Sequence, residues 1–240
     1  MIKPYKDKES SKKEQIRSMF NKIAPHYDLL NHLLSFGIDK IWRKNVVKQL
    51  KGLTAPIILD VATGTGDLAI ELTKIDPVAV YGVDLSEKML NVARKKIEKK
   101  RLHMTIQLKQ GDSEALPFDD RFFDAATVAF GVRNFENLQK GLKEIHRVLK
   151  PDGKLVVLEF SRPKVFPFKQ LFYFYMRRIL PWWGGMISKD KEAYKYLPES
   201  AMQFPEGEDF KKELEKAGFE WQKGIKQTFG IATIYVATKM

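Results

Sequence analysis

Ile57–Asp67 reads Ile-Ile-Leu-Asp-Val-Ala-Thr-Gly-Thr-Gly-Asp, and the rest of the chain is organised around this stretch. Residues 57–61 form an aliphatic run that contains a carboxylate near its end, which is typical of a buried strand in a parallel sheet. Gly64 and Gly66 permit backbone conformations that a Cβ resists, and they let a ligand approach the main chain closely. Apolar positions in 68–72 then begin a helix whose N-terminal amides face the same space. The stretch therefore predicts a strand, a ligand-binding turn and a helix in succession.

Strand and helix patterns alternate after this turn, which favours parallel βαβ units with right-handed crossovers. The predicted parallel strands are 57–61, 78–84, 104–110, 124–130 and 154–160. Two further runs, 220–226 and 231–238, are separated by a short turn and predict an antiparallel hairpin at the sheet edge. We therefore expect a seven-stranded α/β sheet.

Two helices are predicted before the first strand. Ser11 and Glu14 form a capping-box pattern at the start of one helix, and Pro25 is expected to end it. A polar and aromatic link is expected over 25–35, and Asp39 is expected to cap the second helix. Because both helices precede the sheet in the chain, they must pack beside it or over its ligand-binding edge.

The composition limits the class of protein. A chain of 240 residues with 44% hydrophobic content is expected to form one domain. It has no cysteine, and its four histidines show no metal-ligand spacing, so no metal site is predicted. The charged start lacks a signal-peptide pattern, and no run reaches the ~18 apolar residues of a membrane span. We therefore expect a cytoplasmic protein.

The net charge of +12 admits nucleic acid or anionic lipid as a partner, and it equally fits a solvated lysine surface.

The glycine turn alone leaves two nucleotide ligands open. Gly64 and Gly66, with Asp84 20 residues beyond the first glycine, also satisfy the fingerprint of dinucleotide-binding enzymes. However, Asp60 and Asp67 flank the turn and would repel a pyrophosphate, whereas they would attract the sulfonium and ammonium of S-adenosylmethionine. The charge of the loop therefore favours the methyl donor.

Two more carboxylates follow predicted strands. Asp84, at the end of the second strand, suits a ribose diol with either ligand. Asp112 follows the third strand and is placed to accept from an adenine amino group, although it also fits a turn-forming residue in Gly-Asp-Ser. Acidic residues at successive strand ends, with a terminal hairpin that dinucleotide folds lack, strengthen the case for S-adenosylmethionine.

Several segments resemble the menaquinone and ubiquinone biosynthesis C-methyltransferases. Tyr27–Ser35 (YDLLNHLLS), continuing to Trp42, and Arg147–Gly153 (RVLKPDG), continuing to Glu159 and Ser161, are similar to the two signatures of that family. Further similar blocks are EALPF at 114–118, FGVRN at 130–134 and YKYLPES at 194–200. The resemblance extends from about residue 14 to the C-terminus.

The chain departs from the family pattern at four positions. Leu30 stands where methionine is usual, Asp39 where histidine is usual, Asp152 where glycine is usual, and Ala129 replaces a serine that contacts the donor in some members. That last contact is therefore not expected here.

The resemblance implies a class I S-adenosylmethionine-dependent methyltransferase with a Rossmann-like sheet that methylates a ring carbon of a prenylated hydroquinone. It implies that four residues contact the donor: Thr65, Asp84, Asp112 and Ser113. Because they form or flank the glycine turn, we expect Asp60, Gly64 and Gly66 to bind the donor as well. Demethylmenaquinol is the expected acceptor, because the chain is like bacterial members and lacks a transit peptide. A polyprenyl benzoquinol of ubiquinone biosynthesis remains the alternative.

Catalysis requires a methyl, sulfur and ring carbon in line, and a quinol hydroxyl that loses its proton. Arg133 and Asn134 lie just past the fourth predicted strand, where they would stabilise the phenolate, and Tyr27 would orient a quinol oxygen. Arg133 equally suits a structural ion pair, and Tyr27 a packed aromatic. The base remains open among three residues: His26, Asp28 and His32.

We expect one methyltransferase domain over 1–240, with an N-terminal helical cap (1–51) and a donor-binding core (52–162). An aromatic-rich insertion (163–207) and a terminal helix and hairpin (208–240) complete it. Phe, Tyr and Trp crowd residues 163–187 among basic residues, which suits a wall for the prenyl tail and peripheral contact with membrane lipid. A homodimer patch and a packed subdomain are the alternatives.

Two other classes of protein are disfavoured. A nucleic-acid methyltransferase would fit the net charge, but the Asn/Asp-Pro-Pro-aromatic motif and any RNA-binding module are absent from the sequence, so no nucleic acid is expected. A non-catalytic nucleotide-binding protein would not need acidic residues at each donor position.

Overall fold

The computed structural model describes residues 2–5, 9–179 and 191–240. Its sheet has seven strands in the order β3-β2-β1-β4-β5-β7-β6. β1 to β5 pair in parallel, and β7 lies antiparallel between β5 and β6. The strands are β1 Ile57–Val61, β2 Ala79–Asp84, β3 Ile106–Gln110, β4 Phe123–Ala129, β5 Leu149–Phe160, β6 Phe219–Gln227 and β7 Ala232–Lys239. The predicted five parallel strands and terminal hairpin are confirmed.

The helices surround this sheet. They are α1 Lys12–Ile23, α2 Tyr27–Leu34, α3 Ile38–Gln49, α4 Asp67–Leu72, α5 Glu87–Lys99, α6 Leu138–Val148, α7 Phe168–Phe174, α8 Lys191–Gln203 and α9 Glu208–Lys216. A π-helical turn, Tyr175–Ile179, continues α7. The described helices include none that is both long and apolar enough to cross a membrane.

The predicted start of α1 is confirmed, because the Ser11 hydroxyl accepts from the Glu14 amide and the Glu14 carboxylate accepts from the Ser11 amide. The predicted link over 25–35 is wrong. Pro25 lies at the start of a 3₁₀ turn, where its missing N–H costs nothing, and α2 follows directly.

The predicted cap of α3 and the predicted start of β5 are also wrong. Gly37, not Asp39, occupies the N-cap position of α3, and the Asp39 carboxylate instead accepts from the Ser35 hydroxyl at 2.6 Å. Strand β5 begins at Leu149, which pairs with Phe123 of β4. Pairing with β4 resumes at Lys154 opposite Ala125, so residues 150–153 are an irregularity within the strand, where Asp152 has a φ of +61°.

Both faces of the sheet are covered because its central strands are apolar on each side. On one face, Leu59 and Val157 pack with Leu142 of α6 and Phe210 of α9. On the other face, Ile58 and its neighbours pack with α3, α4 and α5.

A separate apolar cluster places α1 against α5 and α8. It contains Ile16, Met19 and Ile23 of α1 with Met89 of α5 and Tyr196 of α8. Lys12 at the start of α1 also reaches over the loop after β4, where its ammonium donates to the Phe135 carbonyl at 2.7 Å. Helices α1 and α8 therefore cover the carboxyl ends of the parallel strands, where open α/β sheets bind ligands.

Candidate active site

The glycine loop between β1 and α4 presents its main chain to a cleft. Gly64 has a φ of +57° and Gly66 a φ of +79°, in the left-handed region that favours glycine. A Cβ at Gly66 would lie 3.1 Å from the Cβ of Ala93 on α5, so the loop and α5 pack closely there. A Cβ at Gly64 would meet open space, which leaves room for a ligand against the main chain.

Asp60 lies beneath this loop. Its side chain is buried, and its two oxygens accept from the hydroxyls of Thr63 at 2.6 Å and Thr127 at 2.7 Å. Burial raises the pKa of Asp60 to about 6. The register of β1 places Asp60 opposite Gly82 of β2 and Thr127 of β4, so the carboxylate connects strand ends at the centre of the sheet.

Asp84 ends β2 and lies at the wall of the cleft. It accepts from the Gly64 amide at 2.9 Å and from the Ser86 amide at 2.8 Å, so it holds the glycine loop beside the start of α5. Burial raises the pKa of Asp84 to about 6. Above that pH the cleft therefore contains a carboxylate that is fixed by two main-chain donors.

The cleft extends over the loops that follow β2, β3 and β4 and encloses about 710 Å³, including its open mouth. Asp112 and Ser113 lie in its wall after β3, and the Lys13 ammonium of α1 contacts the Asp112 carboxylate at 2.5 Å. The acidic residues of the wall outnumber the basic ones: Asp84, Asp112, Glu114 and Glu136 face Lys13 and Arg17. This charge balance suits a cationic ligand better than a pyrophosphate.

Thr65 is buried behind the loop. Its hydroxyl donates to the Asp28 carboxylate of α2, and that carboxylate also accepts from the Lys96 ammonium of α5 at 2.8 Å. The predicted donor residues therefore separate into two groups. Gly64, Asp84, Asp112 and Ser113 line the cleft, whereas Asp60, Thr65 and Gly66 support the loop.

A larger apolar chamber lies next to the cleft and encloses about 1450 Å³, including its open mouth. Its wall is mainly aromatic and aliphatic, with Trp42, Phe130, Phe160, Phe168, Phe172, Met176 and Phe229 among the lining residues. Tyr27 and Phe130 line both the cleft and the chamber. The two compartments therefore meet at these two rings.

Arg133 lies in the chamber wall and forms a buried ion pair. Its Nη1 is 2.6 Å from Glu159 Oε1 on β5 and donates to the Phe130 carbonyl at 2.8 Å. The side chain of Arg133 is 4% exposed and that of Glu159 is fully buried. Arg133 Nε and Glu159 Oε2 are buried without a hydrogen-bond partner among the described residues.

Asn134 lies in the cleft wall, next to Arg133 in the chain but in the other compartment. Its Oδ1 accepts from the Tyr196 hydroxyl of α8 at 3.1 Å, and burial raises the pKa of Tyr196 to about 12. The structure therefore brings Tyr27, Arg133 and Asn134 around the boundary of cleft and chamber, and their catalytic roles stay a prediction.

Sequence reasoning missed a polar network on α2. His32 Nδ1 lies 2.9 Å from Asp39 Oδ2, and His32 Nε2 lies 3.4 Å from Asp67 Oδ2. Arg43 pairs with Asp39, and Lys96 pairs with Asp67. His32, Asp39 and Asp67 could be taken for metal ligands by their distances, but cations of the protein already pair with both carboxylates. Asp39 stands where the family usually has histidine, and this departure is the sequence feature that could have indicated its contact with His32.

Comparison with known proteins agrees with this geometry. The model of the ubiE/COQ5 methyltransferase family matches residues 8–239. A demethylmenaquinone methyltransferase of Bacteroides fragilis is 47% identical over 239 residues, covering 99% of this chain and 97% of that protein. A ubiquinone/menaquinone biosynthesis C-methyltransferase of Geotalea uraniireducens is 46% identical over 232 residues, covering 96% of this chain and 98% of that protein.

A solved structure supports the fold alone. Magnesium protoporphyrin IX methyltransferase from Synechocystis, with bound S-adenosylhomocysteine, superposes with a TM-score of 0.64 at 18% identity and covers 95% of this chain and 100% of that chain. This likeness confirms the predicted fold, and the family match with its relatives confirms the predicted methyltransferase and its methyl donor, S-adenosylmethionine. By the extent of the family match and of the identity to its members, this chain belongs to the ubiE/COQ5 methyltransferase family.

Proposed function

We propose that this protein transfers a methyl group from S-adenosylmethionine to a ring carbon of demethylmenaquinol. The observation that carries the proposal is the pair of compartments, an acidic cleft and an aromatic chamber, that share Tyr27 and Phe130. The cleft suits a cationic, polar donor, and the chamber suits a naphthoquinol ring with its prenyl tail. The two ligands can react only where the cleft and the chamber meet, at Tyr27 and Phe130.

For the donor, we propose that Asp84 accepts from the ribose diol and that Asp112 and Ser113 lie around the adenine. Gly64 offers its main chain to the ligand, because a side chain there would occupy the space beside the loop. Asp60, Thr65 and Gly66 act by shaping that loop, since their polar groups or close packing are directed into the protein.

For the acceptor, the protein's task is to hold the ring carbon in line and to favour the phenolate form of the quinol. The donor, when bound, supplies a methyl group already activated by its sulfonium. Arg133 and Asn134 offer N–H groups to a ring oxygen, and the Tyr27 hydroxyl orients the ring at the boundary. A guanidinium offers N–H donors and no acceptor, so Arg133 serves as a hydrogen-bond donor and not as the base.

A methyl-transfer assay tests the proposal. Labelled S-adenosylmethionine is offered with prenylated demethylnaphthoquinol and, separately, with a polyprenyl methoxybenzoquinol, because the Geotalea relative is named for both pathways. We expect ring methylation of the naphthoquinol with the larger kcat/KM. Preference for the benzoquinol would assign the alternative acceptor, and methylation of neither would refute the proposed function.

We further propose that the mouth of the chamber contacts membrane lipid, from which a prenylated substrate would enter. Phe36, Leu171 and Phe229 line the chamber and yet are 83%, 60% and 65% exposed. Exposed apolar residues that continue an apolar cavity are typical of a surface that contacts lipid or protein. The aromatic positions that were predicted between 180 and 190 lie outside the described residues.

Liposome flotation with Leu171→Asp tests this contact. The matched control is Met104→Asp, since Met104 is 82% exposed but lies away from the chamber. We expect Leu171→Asp to reduce flotation severalfold and Met104→Asp to leave it unchanged. Equal flotation of both variants would refute lipid contact at this mouth. A Leu171-dependent dimer in size-exclusion chromatography with light scattering, without flotation, would assign the surface to a second copy of the chain.

A further inference from the structure

Helix α2 contacts the donor loop through two side chains one turn apart. Asp28 and His32 are four residues apart and therefore lie on the same face of the helix. Asp28 accepts from the buried Thr65 hydroxyl, and His32 Nε2 lies 3.4 Å from the Asp67 carboxylate at the start of α4. Thr65 stands between the two glycines of the loop, and Asp67 directly follows the second.

The same helix also reaches the acceptor side. Tyr27 precedes Asp28 and lines both the cleft and the chamber, and its ring packs edge-on against Phe20 of α1 at 5.9 Å. The position of the Tyr27 ring therefore depends on where α2 lies, and α2 is joined to the loop by Asp28.

The charges around α2 make these contacts stronger than ordinary surface pairs. Asp28 and Lys96 are only 28% and 24% exposed, and Lys96 also pairs with Asp67. His32 lies between two carboxylates, with its Nδ1 2.9 Å from Asp39 Oδ2 and its Nε2 3.4 Å from Asp67 Oδ2. Charge-assisted hydrogen bonds at partly buried positions are about twice as strong as neutral ones.

We infer that Asp28 and His32 are positioning residues that hold Tyr27 in register with the donor loop, so that donor binding organises the acceptor site. This inference rests on the proposed function. A ligand seated against Gly64 fixes the loop, and the Thr65 hydroxyl transmits that order to Asp28 and hence to Tyr27. The coupling is reciprocal, because an acceptor that orders Tyr27 must also favour the loop conformation that binds the donor.

The test measures how S-adenosylhomocysteine changes the affinity of a quinone. The quinone probe is a 2-prenyl-1,4-naphthoquinone with one isoprene unit, and binding is followed by tryptophan fluorescence with and without S-adenosylhomocysteine. In the wild type we expect about a tenfold gain in quinone affinity, within the common range of coupling between two sites. In Asp28→Ala we expect less than a twofold gain, a fall in kcat of about tenfold and a change in S-adenosylhomocysteine affinity below about threefold.

Three further variants separate positioning from general damage. Asp28→Asn keeps an oxygen that can accept from Thr65 and should recover most of the coupling, whereas Thr65→Val should lose it as Asp28→Ala does. Glu71→Ala is the matched control, because Glu71 pairs with the exposed Lys74 at 2.7 Å and lines neither the cleft nor the chamber, so this variant should retain wild-type coupling.

Coupling that survives in both Asp28→Ala and Thr65→Val, or that is absent from the wild type, would overturn the inference. A wild-type protein that binds S-adenosylhomocysteine but neither binds nor methylates a prenylated quinol would instead refute the proposed function.

Discussion

Replacing Arg133 with alanine should destabilise the protein strongly, because it leaves the Glu159 carboxylate buried without its cation. The side chain of Glu159 is fully buried, Arg133 Nη1 lies 2.6 Å from its Oε1, and the Phe160 amide also donates to that oxygen at 2.9 Å. Removing one partner of a buried pair typically costs about 3–5 kcal/mol. Since domains are stable by only about 5–15 kcal/mol, Arg133→Ala should lose a substantial fraction of the free energy of unfolding.

The stability that Arg133→Ala loses should increase with pH. Burial raises the pKa of Glu159 above its ordinary value of 4.5, and Arg133 opposes that rise. Without Arg133 the pKa of Glu159 rises further. Between the unfolded and folded pKa values the native state then binds more protons than the unfolded state, so its stability falls as pH rises. Arg133→Ala should therefore be closer to the wild type at pH 5 than at pH 8.

Urea unfolding of the wild type, Arg133→Ala and the double variant Arg133→Ala with Glu159→Gln measures these differences at both pH values. The double variant should recover stability at pH 8, because the amide carries no charge to bury. The reasoning would be refuted by a loss below about 1 kcal/mol that is equal at both pH values and unchanged in the double variant, as expected of a surface pair.

The same variant separates acceptor chemistry from donor binding. Arg133 lies in the chamber wall and not among the residues that line the cleft. At a pH where Arg133→Ala is folded, methyl transfer should fall about a hundredfold, the usual effect of removing one transition-state donor. Calorimetric affinity for S-adenosylhomocysteine should change by less than about threefold, and equal losses in both would indicate a fold defect.

Three other predictions concern the donor cleft. Asp84→Ala should lower the affinity for S-adenosylhomocysteine about 10- to 100-fold in calorimetry, the range for a lost hydrogen bond to a charged group, and unchanged affinity would remove Asp84 from the site. Because burial raises the pKa of Asp84 to about 6, wild-type affinity should decline as the pH falls below 6 and the carboxylate is protonated, and a flat profile from pH 5 to 8 would contradict this. Lys13→Ala removes the 2.5 Å ion pair between α1 and Asp112, so stopped-flow dissociation of S-adenosylhomocysteine should be about two- to fivefold faster; an unchanged rate would mean that the pair does not retain the ligand.

The sequence predicted those features whose determinants are local. The capping box of Ser11 and Glu14, the aliphatic run before Gly64 and the alternation of strands with helices each lie within one element or one turn. Their periodicity and turn chemistry do not depend on distant partners. For the same reason the carboxylates at successive strand ends could be placed at one edge of the sheet before their contacts were known.

Contacts between elements could not be predicted in this way. Thr65 is predicted to contact the donor, but the sequence did not indicate that its hydroxyl donates to Asp28, 37 residues earlier in the chain. Asp39 has the residue type of a helix cap, but Gly37 takes that position, and Ser35, Arg43 and His32 surround its carboxylate. A side chain's type allows several partners, and only the packing of α2 against α3 and α4 selects among them.

The ion pair of Arg133 and Glu159 has a further consequence for the proposed reaction. The donor is a cation, so an unpaired guanidinium at the boundary of cleft and chamber would repel it through a medium of low dielectric constant. Glu159 cancels that net charge from the β5 side, while the guanidinium retains its N–H groups as donors for a ring oxygen. The acidic residues that attract the donor line the cleft, and the rings of Tyr27 and Phe130 form the boundary itself. Methyl transfer from a sulfonium to a phenolate removes both charges. Relative to water, a boundary without net charge therefore raises the free energy of the separated ions more than that of the charge-dispersed transition state. The ion pair that gives Arg133 a structural role is therefore also compatible with its proposed role in catalysis.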